Sequence, residues 1–294
     1  KKLKIKLLIS FITYYLFKLS SFFLILFPRK ILIIFGKFFG KILYIFSKKS
    51  RNIAKINIRI AFPDLSIKES EKLLIETFKH YGVVTFEFLR QKFTNYNKIN
   101  ISIDKNTEKI LLDDSPLIIM AGHFGNWEMF LPIISKYRKI SAIVRKQSNI
   151  GGDKFISENR LFKNVNLIYN NTNFKNMLDP LLNNQALLIL NDQKPKKRGD
   201  VIKFFNKDSL FPKGSGHFYL KSKAKIVFGF CILNSDYSYN FKLKPIKVNI
   251  DLNLKSDIIN DINMKYVKLL EDEIKKYPNQ YCWFYKKWDK RYYK

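Results

Sequence analysis

With 294 residues, 47% of them hydrophobic and 16% aromatic, the chain can bury a sizeable core as one large domain or two small ones. Its 54 Lys and Arg against 24 Asp and Glu give a net charge of +30, which points to a polyanionic partner: nucleic acid, an anionic membrane surface or acidic substrates. Two cysteines, Cys231 and Cys282, exclude a disulfide framework, and three widely separated histidines (His80, His123, His217) exclude a compact zinc cluster.

The lysines are spread along the whole chain, and its richness in Lys, Asn, Ile and Phe is also what an AT-rich genome produces. Charge therefore supports a reading without deciding one. Residues 1–6 are basic. Leu7 to Phe27 is apolar, broken by Lys18 and a few hydroxyls, and Pro28-Arg29-Lys30 closes it. That length suits one spanning helix, for which ~20 residues suffice. No small-residue cleavage site follows, which argues against a signal peptide. A charge near mid-bilayer costs ~2.5–3.5 kcal/mol. Lys18 thus leaves a second placement open, a helix lying in the interface with its lysines snorkelling. Ile31 to Phe46 is too short and charged to span and reads as an amphipathic surface helix. Lys48-Lys49-Ser50-Arg51 then favours the cytoplasmic side. The division expected is an anchor over 1–47 and a globular body over 48–294.

Ser66-Ile67-Lys68-Glu69 is a capping box, so a helix begins there, with Leu73, Leu74, Phe78, Tyr81 and Val84 at helical spacing. His80 on this helix reads as structural. After Asn95-Tyr96-Asn97 a polar linker with a short strand leads to Ile118-Ile119-Met120-Ala121-Gly122-His123-Phe124-Gly125-Asn126-Trp127-Glu128. Here an apolar run ends in a glycine-bracketed turn, and a helical pattern (Met129, Phe130, Ile133, Ile134, Tyr137) follows. Inside one helix, five residues at ~100° each would put His123 and Glu128 on different faces. They meet only if His123 sits in the turn and Glu128 in the first helical turn, with Asn126 as N-cap. Glu128 then lies at the positive end of the helix dipole and stays ionised. A carboxylate against the imidazole fixes its tautomer and frees the other ring nitrogen as a general base. The competing reading is a core histidine in a strand-to-helix turn.

Ile140 to Val144 reads as a strand, as do Gln185 to Leu190, Ala224 to Leu233 and Tyr239 to Lys244. Ile258 to Tyr277 is an amphipathic helix that Pro278 stops. This alternation implies an α/β domain with a mixed sheet flanked by helices, with the strand-end residues His123, Arg145 and Asp192 converging along one edge. There is no internal repeat and no nucleotide-binding glycine loop.

Gly122–Glu128 resembles the H-x4-(D/E) block of the late acyltransferases of lipid A biosynthesis, the lauroyl and myristoyl transferases of Gram-negative bacteria. The wider glycerolipid acyltransferases share that spacing. Asn57-Ile58-Arg59-Ile60-Ala61-Phe62-Pro63-Asp64-Leu65-Ser66 resembles the family's N-L-x-x-x-F-P-x-x-S segment, and Glu87 matches a glutamate of the next stretch. Arg145, Asn149, Asp153 and Arg160 fall at the family's spacings, with Ile150 in place of a proline. Asp192-Gln193 matches its Asp-Gln strand end. Val201–Asn206 matches its F-F-G block with asparagine for glycine, and Phe211-Pro212-Lys213-Gly214 lacks its threonine. Tyr277–Trp288 resembles its closing Y-P-x-Q-x-x-W-x-x-x-R-W block, with Lys287 for arginine.

The resemblance runs from about residue 10 to the C-terminus and implies a glycerolipid-acyltransferase-like α/β fold with a catalytic domain over 48–294. It implies an O-acyltransferase moving a fatty acyl group from acyl carrier protein, or coenzyme A, to a hydroxyl of an anionic lipid A precursor. His123 would deprotonate the hydroxyl, and Glu128 would orient His123. Arg145, Arg160, Asn149, Asp192 and Asn126 would bind substrate or stabilise the oxyanion, with the Lys194–Arg198 loop holding phosphates. No metal or cofactor is expected beyond the acyl thioester co-substrate. The protein would sit at the bacterial inner membrane facing the cytoplasm, with no nucleic acid partner. One rival keeps the chemistry but changes the acceptor to another glycolipid or glycerolipid. Another is a non-enzymatic membrane-tethered polyanion binder, whose release would depend steeply on salt.

Overall fold

The computed structural model describes residues 2–195 and 199–294. The chain begins with α1 (Lys2–Ile25), α2 (Arg29–Phe46), α3 (Lys48–Ala61) and α4 (Ile67–Arg90), followed by β1 (Ile101–Ile103) and α5 (Lys105–Leu112). It continues through β2 (Leu117–Ala121), α6 (Phe130–Ile134), β3 (Ile140–Val144), α7 (Ile150–Arg160), β4 (Val165–Tyr169), α8 (Phe174–Leu182) and β5 (Ala186–Leu190). A hairpin of β6 (Asp200–Phe204) and β7 (Lys207–Phe211), then α9 (Gly214–Ser222), β8 (Lys225–Leu233), β9 (Tyr239–Pro245) and α10 (Lys255–Lys276), complete it.

The central sheet has seven strands in the order β1-β9-β8-β2-β5-β3-β4. It is mixed: β2 runs parallel to both β5 and β8, while β8 and β9 pair antiparallel. Alternate residues of each strand feed two cores. Ile118, Met120, Leu187 and Phe228 face the layer holding Tyr266, Leu270 and Trp283. Ile119, Ala121, Leu188 and Val227 face Phe130, Ile134 and Phe241. The expected α/β class and mixed sheet are what the chain adopts.

The capping box forms: Ser66 Oγ accepts from the Glu69 N–H at 3.2 Å, and the Glu69 carboxylate accepts from the Ser66 N–H at 2.9 Å. The hairpin turn at Phe205-Asn206 has both residues in the left-handed region (φ 48° and 59°). Asparagine tolerates that conformation, which is a physical reason it can stand where glycine is usual.

The two N-terminal helices are docked on the body. α2 crosses α4 where Gly36 faces Gly82, and a Cβ on Gly82 would run into the Gly36 carbonyl. Only glycine permits backbones this close. α1 lies along α7: Lys18 pairs with Glu158 at 2.8 Å, Tyr14 donates to the same carboxylate at 3.0 Å, and Phe17 packs on Phe155. The opposite face of α1 leaves Leu8, Phe11, Leu16, Leu19, Phe22 and Phe23 exposed. α1 is long and apolar enough to cross a membrane, yet one of its faces is spent on protein contacts. Lys18, the charge within its apolar stretch, has a partner on the body.

Candidate active site

The site forms where β2 and β5 end. Their parallel register pairs Ala121 with Leu190. Two residues beyond each, His123 and Asp192 therefore stand side by side. The His123 Nδ1–H donates to Asp192 Oδ1 at 2.8 Å, and the His123 backbone N–H donates to Oδ2 at 3.0 Å. The His123 carbonyl accepts from the Cys282 N–H at 2.9 Å and from the Tyr81 hydroxyl at 2.8 Å. Every backbone polar group of His123 is thus anchored, and the turn cannot rotate the ring freely.

The turn is held from below as well. Gly125 has φ 63°, and a Cβ there would strike the Cys231 carbonyl. Its N–H donates to Gln280 at 2.8 Å, and the next N–H, of Asn126, donates to Cys231 at 2.7 Å. His80, fully buried against the Gly125 carbonyl at 3.1 Å, has its pKa pushed down to about 4 by burial and stays neutral. It is a structural residue, as its place on the helix suggests.

Asp192 is fully buried. Burial raises its carboxyl, but the adjacent His123 by charge and hydrogen bond, with Lys287 behind it, outweighs that and holds it below the usual range. For His123, burial pulls the imidazole down, and the Asp192 carboxylate more than offsets this, so its pKa is raised. Lys287 is only 1% exposed. Its ammonium donates to the Asp192 carbonyl at 2.5 Å and sits 3.4 Å from the centre of the Phe211 ring. Burial, partly offset by Asp192, lowers it to about 7. The Tyr285 hydroxyl adds a bond to Asp192 Oδ2 at 3.2 Å.

His123 Nε2 faces a groove of about 350 Å³. Gln193 approaches that nitrogen at 3.4 Å, and the Trp127 ring lies 5.2 Å from the imidazole centre to centre. Glu128 and Arg160 line the same groove but bind each other: Arg160 Nε donates to Glu128 Oε2 at 2.9 Å and Nη2 to Oε1 at 2.5 Å. Trp127 Nε1 adds a bond to Oε1 at 2.9 Å. Such two-pronged, charge-assisted pairs are directional and rigid.

This corrects three expectations. The brace on His123 is Asp192, not Glu128, because β5 delivers a carboxylate to the ring's Nδ1 while Arg160 occupies Glu128. Asp192 correspondingly lies behind the imidazole, fully buried and off the groove's lining. The helix after the turn is a 3-10 turn (Trp127–Met129) running into α6, and Asn126 gives it no side-chain cap. The Asn126 amide donates instead to Glu87 at 3.1 Å and to Tyr239 at 2.8 Å.

Asn149 caps α7, accepting from the Gly152 N–H at 2.8 Å, and donates to Thr13 of α1 at 3.2 Å. Asp153 shapes the same loop by accepting from the Gln147 N–H at 2.7 Å. Arg145 lies exposed on the groove rim. Part of the Lys194–Arg198 loop, residues 196–198, falls outside the described residues.

The groove's walls are apolar, and their origin is topological. β3 and β5 pair only as far as Ala142 and Leu188. Beyond that β3 follows β4 and β5 follows β2, so Ile143 and Val144 part from Ile189 and Leu190. The sheet opens into a slot at the point where its connections diverge, the usual ligand crevice of α/β sheets. Ile143, Ile189 and Leu190 also line a second, mostly apolar cavity of about 550 Å³, together with Phe174, Met177 and Phe218. The groove beside His123 thus shares a wall with a larger apolar chamber.

The chain matches the family model described as bacterial lipid A biosynthesis acyltransferase over residues 1–290. It is 22% identical over 273 residues to the lipid A biosynthesis palmitoleoyltransferase of Escherichia coli (strain K12), covering 90% of this chain and 87% of that protein. The lipid A biosynthesis acyltransferase of Shigella flexneri matches to the same extent, with 22% identity over 273 residues. A solved 1-acyl-sn-glycerophosphate acyltransferase from Thermotoga maritima superposes with a TM-score of 0.38 at 14% identity, covering 84% of this chain and 97% of that one. A match over nearly the whole length decides the matter: the chain belongs to the bacterial lipid A biosynthesis acyltransferase family.

Proposed function

We propose that the protein transfers a fatty acyl group from a thioester of acyl carrier protein or coenzyme A to a hydroxyl of a lipid A precursor, with His123 as general base. The observation that carries this reading is the His123–Asp192 pair at the mouth of an apolar slot. Asp192 holds the proton on Nδ1, which leaves Nε2 with a lone pair facing the groove. That nitrogen takes the acceptor's proton as its oxygen attacks the thioester carbonyl, and the thiol then leaves. Such base catalysis is worth ~10²–10⁴-fold. Arg160, fixed by Glu128, lines the groove where a cation stabilises the tetrahedral oxyanion. Exposed Arg145 suits a phosphate of the acceptor or an acidic group of the carrier protein.

The acyl tail enters the slot between β3 and β5 and extends into the chamber under Phe174 and Met177. Burial of each methylene contributes ~0.8 kcal/mol. The exposed apolar face of α1 inserts into the inner membrane from the cytoplasmic side, and the basic surface meets anionic head groups there.

The test is transfer from a series of acyl thioesters to a lipid A precursor. His123→Ala is expected to abolish transfer while the circular dichroism stays native. Ile143→Trp, which narrows the slot, is expected to shift preference to shorter chains. Full activity in His123→Ala would refute the assignment of the base.

A further inference from the structure

The turn that carries His123 is gripped by α4 in three places. The Tyr81 hydroxyl donates to the His123 carbonyl at 2.8 Å, and His80 Nε2 lies 3.1 Å from the Gly125 carbonyl. The Glu87 carboxylate accepts from the Asn126 side-chain amide at 3.1 Å. His80 and Glu87 are close to two helical turns apart in sequence, so both stand on one face of α4. Tyr81 and His80 bind backbone carbonyls, which any residue would offer. Glu87 binds a side chain, so its contact depends on what stands at position 126.

Asn126 is buried and does not line the His123 groove. It is the pivot between two arms that do. Before it in the chain His123 is held by Asp192, and after it Glu128 is held by Arg160. The Asn126 N–H donates to the Cys231 carbonyl at 2.7 Å, and its carbonyl accepts from the Met129 N–H at 3.1 Å. Its side-chain amide also donates to the Tyr239 hydroxyl at 2.8 Å. Glu87 is itself locked. Arg29, the first residue of α2, donates to it from Nε at 2.7 Å, and the Tyr239 hydroxyl donates to its other oxygen. The Arg29 guanidinium lies over the Tyr239 ring at 5.2 Å. A buried carboxylate is costly unless paired, and Arg29 supplies the pair.

We propose that Glu87 is a positioning residue for acyl transfer: through Asn126 it sets the separation between His123 Nε2 and the Glu128–Arg160 pair. The inference rests on the reading of His123 as the base and Arg160 as the cation that meets the oxyanion. Both groups act on one transition state, the base on the hydroxyl proton and the cation on the carbonyl oxygen. Their separation therefore matters as much as either group, and a misplacement of ~1 Å can cost ~10²-fold. The apolar walls that hold the acyl tail, Ile143, Ile189 and Leu190, belong to β3 and β5 and do not hang on Asn126. Displacing the pivot is thus expected to lower kcat and leave KM nearly unchanged. A role confined to docking α2 on the body would lower thermal stability but leave the kcat of folded molecules intact.

The experiment measures kcat and KM of the full chain in detergent, with an acyl thioester and a lipid A precursor, well below the unfolding midpoint of each variant. Asn126→Asp sets two carboxylates against each other. Asn126→Asp combined with Glu87→Gln restores the bond in the opposite sense: position 87 now donates, position 126 accepts, and the oxygen at 87 stays on Arg29. We expect Asn126→Asp to lower kcat at least tenfold with both KM values within threefold of wild type, and the combined variant to return kcat to within threefold. If Asn126→Asp does not fold, Glu87→Met, which removes the acceptor, is held to the same limits. Wild-type kcat in the folded single variant, a loss carried by KM alone, or a loss that Glu87→Gln does not repair overturns the proposal. His123→Ala run alongside separates the two readings. Activity surviving there sinks the base, whereas an inactive His123→Ala beside a fully active Asn126→Asp sinks only the role of Glu87.

Discussion

Asp192→Asn separates the brace seen here from the one that sequence spacing suggests. The carboxylate receives three bonds: from His123 Nδ1 at 2.8 Å, from the His123 N–H at 3.0 Å and from the Tyr285 hydroxyl at 3.2 Å. An amide can accept on one side only. If its NH₂ takes the place of Oδ1, it donates to Nδ1, and the ring proton moves to Nε2, where it blocks the base. If its NH₂ takes the place of Oδ2, it opposes the His123 N–H, and a buried donor left unmet costs ~1–3 kcal/mol of stability. The first outcome removes most of the base's ~10²–10⁴-fold contribution to kcat. The pH profile moves too. Asp192 is what raises the imidazole, and the neutral ring is the active form. Wild-type kcat therefore climbs with pH through a pKa above the ordinary 6.5, and the variant's acidic limb moves to lower pH while its plateau falls. The assay is kcat against pH for acyl transfer, alongside thermal unfolding. Glu128→Gln is the control: it releases Arg160 and lowers the plateau without moving the limb far, because it makes no bond to the ring. If Glu128→Gln shifts the limb and Asp192→Asn leaves kcat within tenfold of wild type, the assignment fails.

Two further predictions use groups away from the reacting atoms. Lys287 titrates near 7 rather than the ordinary 10.5, a gap worth on the order of 5 kcal/mol. Between those values the unfolded chain holds a proton there that the folded chain has shed. The Lys287 contribution thus makes the fold more stable as pH rises from about 7 to 10. Urea unfolding of wild type and Lys287→Met across that window is expected to show wild type gaining on the variant, and parallel curves would refute this. On α1, Leu19→Asp with Phe22→Asp places charge on the exposed apolar face, at up to ~3 kcal/mol each if the face is immersed in lipid. Flotation with vesicles in high salt is expected to fall while the circular dichroism stays native. Unchanged flotation would show that this face does not carry the attachment.

Much of the fold was legible because the strands are buried runs bounded by breakers. Ile140–Val144 was readable to the residue, and Tyr239–Pro245 to within one. The histidine turn was legible from its glycines, and Gly125 indeed needs a positive φ. The partner of His123 was not, because spacing along one chain speaks only of neighbours, and here the neighbour Glu128 is claimed by Arg160 from 32 positions away. Asp192 meets His123 through strand pairing, 69 residues apart. A signal for it did exist. Two apolar runs, Ile118–Ala121 and Leu187–Leu190, each end two residues before a titratable group. In a parallel pair with matched ends, such residues must come to the same level. That argument needs β2 and β5 to be adjacent, and adjacency is a property of the whole sheet: β3 and β4 lie between them in sequence but not in space. The same dependence explains the slot. No local pattern marks Ile143 or Ile189 as anything but strand core. They line an opening only because, once their shared ladder ends, β3 continues along β4 and β5 along β2.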